Sequence, residues 1–335
     1  MVDELKGHMD LLETPEEGSQ QMGQAEPQPA VRSGVSGGLN QRLRRIRWRG
    51  RRVEWAAYGF LAPFGLFFGV FTLAGIVFGL YLSFTEWGIM GSPEWVGLEN
   101  YARALDDSWV PLVWLNTVKY TLMVVPVSTV LGLLLAVFVN QRLPGYVAAR
   151  VCFYAPRVVA VTVVSLVWVW LLDTRFGLVN IFLSTFGIPK IPWLTTQRWV
   201  LFGVGLTSVW WISGYNMVIL LAGLQGIPEE LRESATIDGA TAPQVFWHIV
   251  LPLLRPSLSL VVTLGLIMGF RVFGQVYVMT AGGPAGASST VIWYIFDQGF
   301  REYRLGYAAA LSILLFLTIF AVTLIQQRFL RERAT

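Results

Sequence analysis

The chain has 335 residues, 54% of them hydrophobic and only 14% charged, with a formal net charge of +4. A soluble domain of this size carries nearer a quarter charged residues, and the alternating pattern of a membrane barrel is absent. The composition therefore points to an all-α polytopic membrane protein. The single cysteine, Cys152, excludes an internal disulfide. His8 and His248 lie far apart, so nothing has metal-ligand spacing.

Residues 1–40 are rich in Glu, Gln, Gly, Ser and Pro, with almost no aromatics, and read as a disordered tail. They lack the apolar core behind a basic start that marks a signal peptide. A basic juxtamembrane segment follows over 41–55, with Arg42, Arg44, Arg45, Arg47, Arg49, Arg51 and Arg52. Such a run suits nucleic acid as well as a membrane surface. Its place directly before the first apolar stretch favours a positive-inside anchor and no nucleic-acid role.

Six apolar stretches are long enough to cross a bilayer as helix: about 56–84, 112–140, 149–172, 199–225, 256–280 and 305–328. They define a membrane domain over 56–328, with a short tail over 329–335. With the N-terminus inside, the inner segments hold sixteen Lys or Arg and the outer loops six. The bias predicts both termini on the cytoplasmic side of the cell membrane. Trp87, Trp95, Tyr101, Trp109, Trp193 and Trp199 fall in the outer loops, where aromatic anchors belong.

Between the fourth and fifth spans lies a polar, helix-forming loop over 228–252. Pro228 suits a first helical turn, and Glu229 and Glu230 place negative charge at the positive end of the helix dipole. Ser234 and Ala235 are small, so another surface can approach the backbone. Gly239 is free to take the left-handed conformation that stops a helix. Thr241 then reads as a second N-cap with Pro243 just inside, and Pro252 ends or kinks that helix. Two short helices with a sharp turn are expected.

Polar groups inside spans are costly unless they face a cavity. Arg271 stands about fifteen residues into the fifth predicted span, roughly 22 Å by helical rise, with Gln275 one turn on. Trp211, Tyr215 and Asn216 mark the fourth span, and Asn116 and Tyr120 share a face of the second. These seven are the candidate lining of a solute pathway; for each, interhelical pairing is the competing role. Lys119 reads as snorkelling outward, Arg157 as an anchor, and Trp168 and Trp170 as packing residues. The central turns hold no Asp or Glu, which argues against an ion-coupled secondary transporter. No acid, base and nucleophile converge as in a membrane enzyme.

The run Glu233-Ser234-Ala235-Thr236-Ile237-Asp238-Gly239, nine residues, then Ile249-Val250-Leu251-Pro252, resembles the coupling-loop motif of permease subunits of binding-protein-dependent ABC importers. It differs from the E-A-A pattern only at Ser234. Trp95–Tyr101, Asn116–Tyr120, Phe153–Pro156, Ala222–Pro228, Phe270–Pro284 and Gly306–Ser312 are similar, in order, to segments of the sugar-permease branch, the maltose- and glycerol-phosphate-type permeases. The resemblance covers about 55–328 and implies a type I importer fold. It implies that Glu229, Glu230, Glu233, Ser234, Ala235, Asp238, Gly239, Ala240, Ile249, Leu251 and Pro252 meet an ATPase. It implies a heterodimer with a second permease subunit, two ATP-binding cassette subunits, an extracytoplasmic solute-binding protein and a sugar as solute. The chain has no G-x-x-x-x-G-K-[ST] phosphate loop. ATP and Mg are then bound by the partner ATPase, and no cofactor is expected in this chain. Glycerol phosphate is the rival solute within the family, because a deep Arg271 suits an anion.

Overall fold

The computed structural model describes residues 55–88, 91–141 and 143–331. The expected tail, the basic run Arg42–Arg52, Arg142 and Arg333 lie outside them. The chain divides into two compact units at Gly65 and Leu66. Of the first, the described part is the start of helix α1 (Trp55–Phe67). The remainder concerns the second unit.

A π-helical turn (Phe68–Leu73) leads into α2 (Ala74–Leu82). A two-stranded antiparallel ribbon follows, β1 (Thr85–Glu86) with β2 (Glu94–Trp95), in the register Thr85 to Trp95 and Glu86 to Glu94. Then come α3 (Glu99–Asp106), α4 (Trp109–Asn140), α5 (Tyr146–Val158), α6 (Val161–Leu171), α7 (Leu178–Thr185) and α8 (Val200–Gln225). The polar loop carries α9 (Glu230–Ile237), α10 (Ala242–Val245), a π-helical turn (Phe246–Val250) and α11 (Leu251–Leu253). Last are α12 (Arg255–Phe270), α13 (Gly274–Met279), α14 (Val291–Phe296), a π-helical turn (Asp297–Arg301) and α15 (Leu305–Arg331).

Four stretches are long and apolar enough to cross a membrane unaided: Tyr58–Leu82, Trp109–Asn140, Val200–Gln225 and Leu305–Arg328. Two bent pairs bring the number to six: α5 with α6, bent by 98°, and Ala242–Leu253 with α12, bent by 64°. The expected third span over 149–172 is therefore not one helix. Pro156 removes a backbone donor in the last turn of α5, and Val159 and Ala160 are extended before α6 begins. The expected fifth span over 256–280 also fails as one helix. It ends at Phe270, and Arg271 and Phe273 leave helical geometry before Gly274 opens α13. Arg271 is thus a helix C-cap, not a mid-helix residue. The last helix runs to Arg331, past the expected boundary at 328.

The core is the parallel pair α4 and α8, in close contact along much of their length. Small residues permit the approach: a Cβ on Gly132 would stand 2.6 Å from the Asn216 Cβ. At one end Ala136, Val139, Leu220, Leu224, Val250 and Leu254 form an apolar cluster that seats the polar loop. At the other end Val113, Phe270, Val291, Tyr307 and Leu311 form another, under α14 and α15. The 85–106 segment shares that end. Asn100 donates to the Ser83 and Thr85 carbonyls, and the Leu305 N–H donates to Trp87 O at 2.9 Å.

A tight contact between two helices is that of Gly214 of α8 against α5, where an added Cβ would meet the Phe153 carbonyl oxygen at 1.9 Å. Backbone cannot yield as a side chain can. Gly214→Ala should destabilise the protein by about 1–3 kcal/mol, as overpacking does. Gly75→Ala, with nothing within 4 Å of the new methyl, should not. Thermal loss of monodisperse protein in detergent compares the two.

Candidate functional site

The two breaks in the spans face one another across a cavity of about 240 Å³. Its walls come from α4, α8, α12 and the 271–275 break, with Val161 at the start of α6. Tyr120 to Ser128 and Trp211–Ile212 put it at mid-length of the two continuous spans. Non-helical backbone at this depth is tolerated only where protein or water satisfies it. Here protein does: the Trp211 Nε1–H donates to Val159 O at 3.2 Å, and the Thr290 hydroxyl donates to Val272 O at 3.0 Å.

Four of the seven pathway candidates, Tyr120, Trp211, Arg271 and Gln275, line this cavity. Arg271 and Gln275 meet there across the break rather than along one helix face. Arg271 is exposed and has no carboxylate partner among the described residues. The Tyr120 hydroxyl donates to Ser208 Oγ at 2.6 Å, and Ser208 passes its own proton to Val204 O. The oxygen of Tyr120 is left to accept.

The other three stand elsewhere. The Asn116 amide donates to Gly286 O and Ser289 O, at 3.0 and 3.1 Å, and ties α4 to the loop before α14. Asn216 is buried at the α4 crossing opposite Gly132. Tyr215 lies under Arg157, whose guanidinium carbon is 4.1 Å from the Trp211 ring centre and 5.3 Å from that of Tyr215. One buried Arg157 nitrogen, Nη1, has no hydrogen-bond partner among the described residues. Arg157 thus buttresses a cavity wall. The sequence reading also passed over Gly265 and Gly269. Their Gly-x-x-x-Gly spacing is a signal for close packing, and they meet Val125 and Thr121 on the cavity rim.

The polar loop forms the two short helices expected, at the opposite end of the bundle from the 85–106 segment. Pro228 lies one residue before the N-cap Glu229, so α9 starts slightly later than expected. Its C-terminus is fixed by the backbone alone: Gly239 N–H donates to Thr236 O at 3.0 Å and Ala240 N–H to Ala235 O at 2.9 Å. This is a Schellman arrangement with Gly239 at φ +84°. The next helix is locked at once, as Gln244 Oε1 accepts from both the Thr241 N–H and the Thr241 hydroxyl, each at 2.8 Å. Glu229, Glu230, Glu233, Ser234, Asp238 and Gly239 are exposed; Ala235, Ala240, Ile249, Leu251 and Pro252 are half-buried. Ile237, at 86% exposure, projects an apolar group from the middle of this acidic face.

Residues 128–334 match the family described as the binding-protein-dependent transport system inner membrane component. The chain belongs to this family. Its members are transport components of the membrane rather than enzymes. The chain is 33% identical over 273 residues to the arabinooligosaccharides transport system permease protein AraP of Bacillus subtilis, covering 81% of this chain and 87% of that one. It is 31% identical over 292 residues to the sulfoquinovosyl glycerol transport system permease protein SmoG of Agrobacterium fabrum, covering 86% and 94%. Among solved structures it superposes on a chain of a bacterial ABC transporter involved in the import of the acidic polysaccharide alginate. The TM-score is 0.74 at 21% identity, over 89% of this chain and 100% of that one. That likeness establishes the fold alone: a helical membrane bundle, here of up to six spans.

At the end of this permease opposite the polar loop, Asp107 gathers three elements. Its Oδ1 accepts from the Trp109 N–H, and its Oδ2 accepts from the hydroxyls of Tyr294 and Tyr307. Partial burial pushes the carboxyl up, but these hydrogen bonds and nearby Arg304 outweigh it and hold Asp107 below its ordinary value. A depressed folded value stabilises the ionised form. The contribution is complete above the ordinary value of 3.8 and is lost as pH falls through the lower folded value. Asp107→Asn should therefore melt earlier than wild type above pH 3.8, with the difference closing at stronger acid. Melting curves of the two proteins across that range check the sign.

Proposed function

We propose that this chain is one of two membrane subunits of an ATP-driven carbohydrate importer. It forms half of the solute path beside a second permease subunit. An extracytoplasmic solute-binding protein delivers the sugar. Two ATP-binding subunits hold ATP and Mg and receive the 228–252 loop in the cytoplasm, with both termini on that side. Closure of the ATPases would tilt the helices flanking the loop, because they bind one loop geometry better than the other.

The observation that carries the reading is the turn at Gly239 to Gln244. It is compact, held by its own hydrogen bonds, and follows a helix that exposes Glu230, Glu233 and the apolar Ile237. Such a shape suits insertion into a groove on a partner. The cavity supports the carbohydrate half: Tyr120, Gln275 and Arg271 offer hydroxyl, amide and guanidinium groups, and Trp211 offers an aromatic face. Relatives named for arabinooligosaccharides and for trehalose and maltose transport point the same way. A second reading, an anionic glycerol-phosphate-type solute, is favoured by the absence of a carboxylate beside Arg271 among the described residues. One relative is named for sn-glycerol-3-phosphate.

Two variants test the coupling role. A Cβ added at Gly239 would meet nothing within 4 Å, so Gly239→Val should still fold and assemble. The left-handed backbone there costs a non-glycine residue roughly 1–2 kcal/mol, enough to open the turn. Glu233→Lys reverses a charge on the exposed face without touching the turn. In the reconstituted complex both should reduce uptake about tenfold and lower solute-stimulated ATPase activity with it. Wild-type uptake in both variants rules the coupling role out.

Arg271→Ala tests the path. Transport per assembled complex should fall while subunit stoichiometry and basal ATPase rate hold. Unchanged transport per complex, with a lower yield, would make Arg271 a packing residue.

A further inference from the structure

The break that ends α12 begins a second feature. Phe273, on the cavity wall, stacks on Tyr277 with ring centres 5.2 Å apart and meets Phe296 at the same distance. Tyr277 and Phe296 lie 5.4 Å apart, edge to face. Phe296 in turn stacks on Phe300 at 5.4 Å. Four rings thus run without a gap from the mid-span cavity to the segment before α15. Exposure along the row ends at 65% for Phe300 and is 40% for Tyr277.

An aromatic row on a membrane protein is ordinarily a lipid-facing or interfacial feature. This one has polar groups beside it. At the inner end Phe273 shares its cavity with Arg271 and Gln275. Beside the middle rings the Arg301 guanidinium sits 5.9 Å from the Phe296 ring centre and 6.0 Å from that of Tyr277. Arg301 also pairs with Asp297 at 3.3 Å. An ion pair beside the middle rings and a cavity carrying Arg271 and Gln275 at the inner end mark a polar route rather than a lipid face.

We propose that Phe273, Tyr277, Phe296 and Phe300 are a stacking track along which pyranose or furanose rings pass from the outer face to the cavity. The track rests on the carbohydrate reading above and adds the means of passage. Sugar rings present C–H faces that pack on aromatic faces, while their hydroxyls remain in water at the edge. Each ring offers a similar, modest attraction, so a sugar can step from one to the next without a deep trap. Arg301 and Asp297 beside the row supply hydrogen-bonding groups for the hydroxyls.

The experiment uses the whole transporter, with its solute-binding protein, in proteoliposomes. First, the binding protein is screened by thermal shift against mono-, di- and trisaccharides and against glycerol 3-phosphate, which has no ring. Uptake of a labelled sugar that binds is then measured for Phe296→Leu, Phe300→Leu and Phe300→Tyr. Leucine keeps the apolar bulk and loses the ring face; tyrosine keeps the face. Each leucine variant should lower uptake per assembled complex roughly three- to tenfold, the worth of one aromatic contact, and Phe300→Tyr should restore it.

A second readout guards against assembly effects. In a Cys152→Ser background, Phe300→Cys should react with a bulky membrane-impermeant thiol reagent in the intact complex, and bound sugar should slow the reaction. A binding protein that takes only the ringless solute overturns the carbohydrate reading and the track with it. A binding protein that takes sugars, with both leucine variants transporting as wild type, overturns the track alone. So does a Phe300→Cys thiol that the reagent cannot reach, because the partner subunit then covers the row.

Discussion

A bilayer offers no water to an open backbone carbonyl, and that constraint shapes the middle of this protein. Two spans are broken, and each break leaves carbonyls without helical partners. Trp211 reaches from α8 to one of them and Thr290 reaches from the loop before α14 to another. These two side chains satisfy one carbonyl at each break, and so lower the cost of stopping the helices beside the cavity. The polar lining, the aromatic row and the position of Arg271 at a helix end all follow from the breaks.

Two of the four unbroken spans, α4 and α8, act as the rigid counterpart. Their close approach at Gly132 and their shared apolar cluster with Val250 and Leu254 connect the cavity walls to the polar loop through packed side chains. The packing between the loop and the cavity walls is therefore continuous. At the far end, Asp107 joins the start of α4 to α14 and to α15 through three hydrogen bonds.

Apolar runs and the turn chemistry of the loop were legible in the sequence, and for the same reason: both depend on residues close together in the chain. Of the six hydrophobic stretches four are unbroken spans and two are bent pairs, and Gly239, Thr241 and their neighbours form a helix, a stop and a new start. The breaks were not legible, because nothing local forbids helix strongly across 158–161 or 271–273. Pro156 was a visible signal for the first; for the second, only Gly274 hinted. What stabilises each break is a donor more than seventeen residues away, Thr290 for Val272 and Trp211 for Val159, and no local reading supplies it. Tyr120, Trp211, Arg271 and Gln275 were recognisable as costly in lipid. Asn116 and Asn216 were equally costly but are housed by a loop and a helix crossing, a distinction that needs the tertiary structure.

The turn of the polar loop is specified by main-chain hydrogen bonds, one glycine and the Thr241–Gln244 pair. Its outward face, with Glu230, Glu233 and Ile237, contributes nothing to that geometry. Shape and surface are therefore separable here. Side chains on the outward face of α9 are open to exchange while the backbone of the turn stays the same. The turn from 239 to 244 would hold its course under a rewritten α9 surface, so the charge and polarity of this end of the bundle can drift without a redesign of its shape.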